Sequence, residues 1–301
     1  MEVSALRKQI VETGQELLRE GLVARTWGNV SGRVDKTQFL ITPSGLSYRK
    51  TTPEDLALYD WEKKIFTGPR KPSSEKGIHA AAYEIFPDAG FVIHTHQTYA
   101  SAFSVAGFES LLYKEEERSK LGGIALASYG LPGTGKLRKA VEDCFKQGAH
   151  TVFMAHHGVV VVGKNREEAM ERVLLLEEIC KRNYRGHAGK ELASHAFARL
   201  GIPLTAQLDD MAQMIGKEIP VVRNDVRAAL LQHPAVIRPR EGIYVKGCDA
   251  EDTEALKILV EKAAVTALHC RALKVDAKLP WFDMTLMHLV YRMKYSKKKE
   301  G

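Results

Sequence analysis

The stretch Phe91-Val92-Ile93-His94-Thr95-His96 carries the main fold signal and the most informative side chains of this chain. Its run of apolar and β-branched residues, preceded by the turn Pro87-Asp88-Ala89-Gly90, predicts a buried strand. Side chains two residues apart on a strand point to the same face of the sheet. His94 and His96 can therefore converge on one metal ion.

Two other segments carry candidate partners for these histidines. Glu75 follows Pro72-Ser73-Ser74 at the start of a helical pattern, and Ala155-His156-His157-Gly158 leads into another strand. Imidazole and carboxylate are borderline ligands that favour zinc over magnesium or calcium, with other divalent transition metals as alternatives. Spacing does not separate His156 from His157 as the third histidine. Glu75 has two roles open to it, because a carboxylate can bind the metal or leave it and act as a general base.

The order of the predicted elements indicates a mixed sheet covered by helices. Residues 4–20 and 75–86 carry apolar side chains at helical spacing. His79 lies one helical turn after Glu75 on the same face, and we interpret it as a structural residue beside the site. Further strands are predicted at 30–34, 38–42, 56–60, 124–129, 151–155 and 159–162, and further helices at 136–147 and 166–185.

Part of this pattern recurs near the end of the chain. Gly158–Gly163, followed by a helix from about residue 166, reappears as Gly242–Gly247, followed by a helix from about residue 250, with a shift of 84 residues. The helices predicted before each strand, 137–147 and 222–232, also correspond. The second copy is a fragment of a repeat.

The second copy lacks the histidines, because Pro239-Arg240-Glu241 occupies the corresponding place. We therefore predict a catalytic domain over residues 1–185. Residues 186–301 are predicted to form a helical linker and a truncated repeat that ends in a basic tail.

The composition is that of an ordinary globular protein, with 301 residues, 45% hydrophobic and 27% charged. The four cysteines show no CxxC spacing, and neither a signal peptide nor a membrane-length apolar run is apparent. We expect a soluble, cytoplasmic protein. The net charge of +7 lies partly in Lys294 and Lys297-Lys298-Lys299. Without a nucleic-acid-reading motif it indicates neither a nucleic-acid nor a membrane partner.

Three turn-like segments offer groups that could bind an anion: Gly28-Asn29-Val30-Ser31, Thr42-Pro43-Ser44-Gly45 and Ser73-Ser74. Ser73 and Ser74 lie at a predicted helix N-terminus, where backbone amides suit a phosphate or carboxylate oxygen. An anion bound there would lie next to Glu75.

A competing interpretation is a nucleotide-binding P-loop at Gly130-Leu-Pro-Gly-Thr-Gly-Lys136. The segment follows a predicted strand and precedes a predicted helix, as that motif requires. Its eighth position is Leu137, whereas a P-loop needs a hydroxyl there to hold magnesium. The metal hypothesis is favoured over this one.

Taken together, these motifs resemble the class II aldolase, epimerase and adducin-head family, most closely its fuculose-phosphate aldolase branch. The resemblance covers about residues 4–185 and rests on five motifs in the family's order. They are Gly28-Asn29-Val30-Ser31, Ile41-Thr42-Pro43-Ser44-Gly45, Pro72-Ser73-Ser74-Glu75, His94-Thr95-His96 and His156-His157-Gly158. The resemblance implies a three-layer α/β/α fold with a mostly antiparallel central sheet, and a C4 homotetramer with sites between subunits.

The resemblance also implies a role for each site residue. His94, His96 and His157 are expected to bind zinc, and Glu75 to be the fourth ligand and the catalytic acid/base. Tyr113 matches a tyrosine that reaches the neighbouring subunit's site, although Lys114-Glu115-Glu116-Glu117-Arg118 departs from the aldolase pattern after it. The residues expected to hold the substrate phosphate are Asn29, Ser44, Gly45, Ser73 and Ser74.

The implied activity is a zinc-dependent lyase reaction on a phosphorylated sugar. Zinc would stabilise the enediolate left by retro-aldol cleavage of a ketose phosphate, and Glu75 would move the proton. Glutamate at this position favours aldolase over the epimerase branch, which usually carries aspartate there. Dehydratase and decarboxylase branches stay open, and a non-catalytic scaffold like the adducin head is the alternative from another class.

Overall fold

The computed structural model describes residues 2–186 and 191–296, which form two compact units. The first unit takes the described residues up to Ala100 together with Glu109–Arg182. The second takes Ser101–Phe108 and the described residues from Asn183 onward. Within the described ranges no helix is long and apolar enough to cross a membrane. The basic residues Lys297-Lys298-Lys299 lie outside the described residues.

The first unit is built on one eight-stranded sheet. Its strands are β1 (Asn29–Arg33), β2 (Gln38–Ile41), β3 (Ala57–Asp60), β4 (Ile65–Thr67), β5 (Phe91–Thr95), β6 (Ile124–Ala127), β7 (Thr151–Met154) and β8 (Gly158–Gly163). They lie in the order β4-β3-β2-β1-β5-β8-β7-β6, and every neighbouring pair is antiparallel except β6 with β7. The strand that carries His94 is therefore flanked by strands on both sides.

Helices cover both faces of this sheet. In this unit they are α1 (Val3–Arg19), α2 (Lys76–Ile85), α4 (Glu115–Leu121), α5 (Gly135–Lys146) and α6 (Arg166–Asn183). Helix α3 (Thr98–Ala106) lies mostly in the segment Ser101–Phe108, which belongs to the second unit. Leu6 of α1 packs against Gly32, whereas His79 of α2 bonds to Ser31, and adjacent strand residues point to opposite faces. Helices α1 and α2 therefore lie on opposite faces, and the predicted mostly antiparallel sheet between helices is confirmed.

The face of the sheet that α2 covers is packed into an apolar core. Ile78 and Ala82 of α2 pack there with Leu137 and Val141 of α5, and all four side chains are buried. Fully burying a leucine or isoleucine side chain is worth roughly 1.5–3 kcal/mol. The N-termini of α2 and α5 are thereby held at one end of the sheet.

A tight turn joins β7 to β8 and determines how β8 meets β5. Met154 pairs with Gly158, and His156 in the turn has a φ of 64°, a left-handed conformation that histidine tolerates. A Cβ atom at Gly158 would lie 2.4 Å from the backbone oxygen of Thr95 in β5. The close approach of the two strands therefore requires glycine at this position.

The second unit consists of helices and two short hairpins. The helices are α7 (Ala193–Leu200), α8 (Asp209–Met214), α9 (Val226–Ala229), α10 (Ala250–Ala272) and α11 (Trp281–Ser296); β9 (Leu204–Thr205) pairs with β10 (Glu218–Ile219), and β11 (Ala235–Arg238) with β12 (Gly242–Val245). Lys262 of α10 and Asp210 of α8 form an ion pair whose side chains are almost fully buried. Removing one partner of such a pair costs about 3–5 kcal/mol.

The hairpin and helix β11–β12–α10 have the same order as β7–β8–α6. Their turns share a backbone feature, because Arg240 has a φ of 66° where the corresponding His156 has 64°. The helix predicted over residues 222–232 is wrong in extent, since α9 has four residues. Val222 instead donates its backbone N–H to the oxygen of Ile237 at 2.8 Å, because its neighbour Val221 forms a parallel bridge with Ile237.

We predict that Gly158→Ala lowers the free energy of unfolding by about 1–3 kcal/mol, the usual cost of overpacking. The new methyl group would push β8 away from the Thr95 oxygen. Gly135→Ala is the matched control, because no atom lies within 4 Å of a Cβ there. Urea unfolding of both variants measures the difference, and equal midpoints would contradict the tight β5–β8 contact.

Candidate metal centre

Three buried histidines meet at the end of β5. His94 and His96 extend from β5 and the residue after it, and His157 comes from the turn between β7 and β8. Their ligand nitrogens all lie within 4.8 Å of one another, and no other such cluster of three or more occurs in the described part of the chain. The Nε2 atoms of His94 and His96 are 3.0 Å apart. The fold therefore brings together side chains that are 61 residues apart in sequence.

The orientation of the His94 ring follows from its neighbour on β8. Its Nδ1 lies 2.8 Å from the backbone oxygen of Val159, which can only accept a hydrogen bond. Nδ1 therefore carries the proton in the neutral ring, and the lone pair of Nε2 points into the cluster. A hydrogen bond of this kind is the usual support of a metal-binding histidine.

Glu75 brings a carboxylate to the same point. It immediately precedes α2, and its side chain is buried. One carboxylate oxygen lies 2.9 Å from Nε2 of His157 and the other 3.3 Å from Nε2 of His94. Burial would raise the pKa of Glu75, but the electrostatic influence of His94 and His157 and the hydrogen bonds from His157 and Asn29 outweigh it and hold this pKa well below its usual value. Glu75 is therefore ionised at neutral pH.

These side chains fit a divalent transition metal. Ligand atoms at 2.0–2.1 Å from a tetrahedral zinc are about 3.3 Å apart. The separations of 3.0 Å between His94 and His96 and 3.3 Å between His94 and Glu75 are close to that value. Three imidazoles and one carboxylate are also the donor set that zinc accepts in catalytic sites. His94, His96 and His157 would hold such an ion, with Glu75 beside it.

His156 takes no part in the cluster. Its left-handed backbone turns its side chain toward Tyr129, and the two rings meet edge to face with centroids 5.6 Å apart. His157, the next residue, is buried among the other histidines. The turn geometry thus separates two residues that spacing alone left equivalent.

The three segments predicted to bind an anion are assembled beside Glu75. Ser44 donates its backbone N–H to Lys71 at 2.9 Å, and Ser73 donates to Thr42 at 3.2 Å. The Thr42 hydroxyl in turn accepts from the backbone N–H of Val30, next to Asn29. Gly45 has a φ of 72°, which favours glycine in this turn. Ser44, Gly45, Ser73 and Ser74 therefore belong to one continuous loop cluster.

A cavity of about 190 Å³ opens next to this cluster. Ser74, Glu75 and Lys76 line it from the start of α2, and Thr134 and Arg138 line it from the start of α5. The segment that resembles a P-loop thus forms one wall of the cavity. Leu137, at the position where a P-loop needs a hydroxyl, is fully buried in the apolar core. It cannot hold magnesium, which argues against the nucleotide-binding interpretation.

A buried chain of hydrogen bonds leads away from Glu75 through Asn29, His79, Ser31 and Tyr83. Asn29 Nδ2 donates to Glu75 at 2.9 Å, which directs its amide oxygen toward Nε2 of His79. Nε2 therefore carries the proton, and Nδ1 accepts from the Ser31 hydroxyl at 2.6 Å. The Ser31 oxygen accepts from Tyr83 at 2.8 Å. The charge on Glu75 thus determines the direction of every bond in this chain.

His79 is held neutral in this chain. Burial lowers its pKa to about 3, and the electrostatic influence of His94 acts in the same direction, whereas that of Glu75 raises this pKa. Asn29, which was expected to hold the substrate phosphate, donates its amide to the Glu75 carboxylate in this structure. Ser31, which the sequence placed in a predicted anion-binding segment, bonds to His79 and Tyr83. Tyr83 is a residue that sequence reasoning missed, and its only sequence signal was its spacing on a helix that faces the site.

Tyr113 lies in the loop before α4 and is half-buried. Within the described part of the chain, Tyr113 makes no hydrogen bond, ion pair or ring contact with the histidine cluster. Arg138 is a second residue that sequence reasoning missed. Its position at the start of α5 gives it access to the cavity, and the glycine-rich segment before it was the signal available.

The chain belongs to the class II aldolase and adducin N-terminal domain family, whose model matches residues 8–184. Its fold and its buried histidine cluster are those of a metal-dependent enzyme of this family. The match ends near the close of α6 and leaves most of the second unit without a counterpart in the family model.

Several known proteins are similar to this chain. The L-ribulose-5-phosphate 4-epimerase UlaF of Salmonella paratyphi C is 31% identical over 189 residues, which are 58% of this chain and 82% of UlaF. The L-fuculose-1-phosphate aldolase of Thermus thermophilus is 26% identical with a TM-score of 0.50, over 58% of this chain and 92% of the aldolase. YgbL from Klebsiella pneumoniae shares the fold, with 24% identity and a TM-score of 0.56 over 60% of this chain and 89% of YgbL.

We predict that His79→Gln makes the metal-free protein less sensitive to acid. A pKa lowered to about 3 means that folded His79 stays neutral while the unfolded chain, near 6.5, binds a proton. The wild-type free energy of unfolding is therefore unaffected by His79 above pH 6.5. It falls progressively between pH 6.5 and pH 3 because the unfolded chain gains a proton, and the loss is about 2 kcal/mol at pH 5. Glutamine does not titrate, and its amide can still donate to Asn29.

Urea unfolding of the two proteins between pH 5 and pH 8 measures this difference. Tyr83→Phe is the control. It removes one hydrogen bond from the buried chain of hydrogen bonds but keeps His79, so its pH dependence should follow that of the wild type. Parallel pH profiles for the wild type and His79→Gln would show that His79 is not held neutral.

Proposed function

We propose that the protein is a zinc-dependent lyase that cleaves a phosphorylated ketose by a retro-aldol reaction. The observation that supports this most is the ionised carboxylate of Glu75, held within 3.3 Å of two of the three clustered histidines. A carboxylate at this point would lie beside a metal held by the histidines and could move a proton of the substrate. A cavity opens directly beside it.

The metal has one task in this proposal. When bound by His94, His96 and His157, a zinc ion would supply the Lewis acidity that stabilises negative charge on the substrate's oxygens. Other divalent transition metals could take the same place, since the ligands are imidazoles and a carboxylate.

Glu75 is proposed as the catalytic acid/base. Its low pKa keeps it as a carboxylate that can accept a proton when substrate enters. Asn29 holds one of its oxygens by a hydrogen bond of 2.9 Å, so the other oxygen is the one directed at the proton being transferred. The buried hydrogen bonds from Asn29 to His79 and from His79 to Ser31 hold the Asn29 amide in place, so the Glu75 carboxylate resists rotation. Precise placement of the base is worth more than its basicity alone.

The substrate phosphate is proposed to bind where the loops converge. Ser44, Gly45, Ser73 and Ser74 supply hydroxyl and amide groups, and Ser74 lines the cavity next to Glu75. The N-termini of α2 and α5 both face this cavity and favour negative charge. Lys76 and Arg138 add positive charge at its rim. Asn29 is proposed to complete this phosphate site, next to the Glu75 carboxylate to which its amide donates.

Epimerisation is the second candidate, and one observation favours it. UlaF, at 31% identity over most of its length, is an L-ribulose-5-phosphate 4-epimerase. The reaction would use the same residues to hold a metal and the substrate phosphate. The dehydratase and decarboxylase alternatives require the same site as well.

The larger assembly is also a proposal. We place the catalytic domain at residues 1–185 and a separate extension at residues 186–301, in a cytoplasmic homotetramer. Tyr113 is proposed to serve the site of a neighbouring subunit at the aldehyde-side oxygen. It would take the hydroxyl proton there during cleavage and protonate the alkoxide in the reverse, condensation direction. Its position in the loop before α4, apart from the cluster of its own chain, is compatible with that role.

We predict that the purified protein binds about one equivalent of zinc per chain, and that His94→Ala weakens this binding without unfolding the protein. The expected loss exceeds the roughly 10–100-fold that follows removal of a residue supporting a ligand. Isothermal titration and metal analysis measure it, with the exposed His233→Ala as control. Wild-type protein that binds less than about half an equivalent would favour the scaffold alternative.

We predict that Glu75→Gln lowers turnover by about 10²–10⁴-fold, the usual contribution of a general acid/base, while zinc is retained. Glu84→Gln, on the exposed side of α2, is the matched control. Zinc-loaded protein is assayed with ketose 1-phosphates, pentulose 5-phosphates and methylthioribulose phosphate. Aldehyde release identifies an aldolase, and an epimeric pentulose phosphate without release identifies an epimerase. Full activity of Glu75→Gln would contradict the role of Glu75 as acid/base in either reaction.

A further inference from the structure

Helix α11 has one face turned toward its own unit and one turned toward solvent. Met284 and Met287 are buried, and Nδ1 of His288 donates to the backbone oxygen of Gln213 in α8 at 3.0 Å. At about 100° per residue, Leu286 and Leu289 point to the opposite side of the helix. The inner face is therefore occupied by α8, and the outer face is available.

The outer face carries an apolar seam made of Phe282, Leu286, Leu289 and Met293. These side chains are 67%, 37%, 54% and 50% exposed. Their successive spacings of four, three and four residues are those of the a and d positions of a heptad. None of the four is charged or polar. A contiguous exposed apolar patch of this kind marks an interaction surface.

The seam is complementary to itself when two copies run antiparallel. In an antiparallel pair, an a position of one helix packs against a d position of the other. A twofold axis between positions 286 and 289 places Leu286 against Leu289 of the second copy, and Phe282 against Met293 of the second copy. All four residues then take part in matched layers, and the same patch serves both copies.

The charges along the helix favour the antiparallel direction. Asp283 lies in the first turn, whereas Arg292 lies near the end of the helix. An antiparallel pair brings the basic end of each helix beside the acidic end of the other. It also opposes the two helix dipoles, whereas a parallel pair would place both basic ends side by side.

We infer that the outer face of α11 is the docking surface for α11 of a second copy of this chain, in an antiparallel twofold contact. Two pairs of layers bury less than the roughly 1,200 Å² of a standard stable interface. The contact is therefore weak on its own, and it doubles the mass of the protein in a concentration-dependent way. It lies outside the residues that match the family and is independent of the proposed activity.

The test uses the full chain and two single variants, Leu286→Lys and Leu289→Glu. Sedimentation velocity over a range of concentrations is expected to show a doubling step for the wild type that each single variant lacks. The matched control is Leu231→Lys, because Leu231 is 75% exposed and lies outside α11; it should keep the doubling step. Circular dichroism checks that α11 stays folded, and Leu286→Gln provides a milder variant of the same position.

Mixing the two single variants identifies the arrangement. Only an antiparallel pair places Lys at 286 against Glu at 289 of the other copy, so the mixture is expected to recover the doubling step. The double variant L286K/L289E should recover it alone. A wild type without a doubling step, or a mixture that stays at the lower mass, overturns the inference. Binding of wild-type protein to phosphatidylserine vesicles, abolished in both variants and in their mixture, would instead assign the seam to an anionic membrane.

Discussion

The burial of the Glu75 carboxylate is the constraint on which the rest of the site depends. A buried charge is costly unless it is paired and hydrogen-bonded. Three segments that are distant in sequence meet this requirement, because Asn29 donates to the carboxylate and His94 and His157 approach it within 3.3 Å. The start of α2 and strands β1 and β5 must therefore meet at one point. The same grouping, with His96, is a set of ligands that suits a divalent transition metal.

Close strand contacts make this meeting geometrically possible. A Cβ atom at Gly28 would lie 2.3 Å from the backbone oxygen of His94, and one at Gly158 would lie 2.4 Å from that of Thr95. Glycine on each side of β5 lets β1 and the β7–β8 turn approach the histidine strand. Each glycine adjoins a site residue, Asn29 in one case and His157 in the other. Backbone packing and site geometry are thus coupled in the same few residues.

Much of the fold and the central part of the site could be predicted from sequence. Alternation in β5 placed His94 and His96 on one face, and helical periodicity placed His79 one turn after Glu75, because these relations are local. The hydrogen-bond chain through Ser31 and Tyr83 could not be predicted, since it depends on which helix covers which face of the sheet. The helix predicted from Val222 failed for a related reason. The bridge between Val221 and Ile237, to which Val222 adds a hydrogen bond, outweighed the local helical pattern.

The sequence by itself determined the ligand types, their order, the glycines that allow close contacts, and the family to which the chain belongs. Only the tertiary structure decided that His157 faces the cluster while His156 turns toward Tyr129, because a left-handed turn residue sets the direction of its neighbours. It also decided that Asn29 bonds to Glu75 and that the glycine-rich loop forms a wall of the cavity. These outcomes depend on distances between segments remote in sequence, which no local pattern encodes.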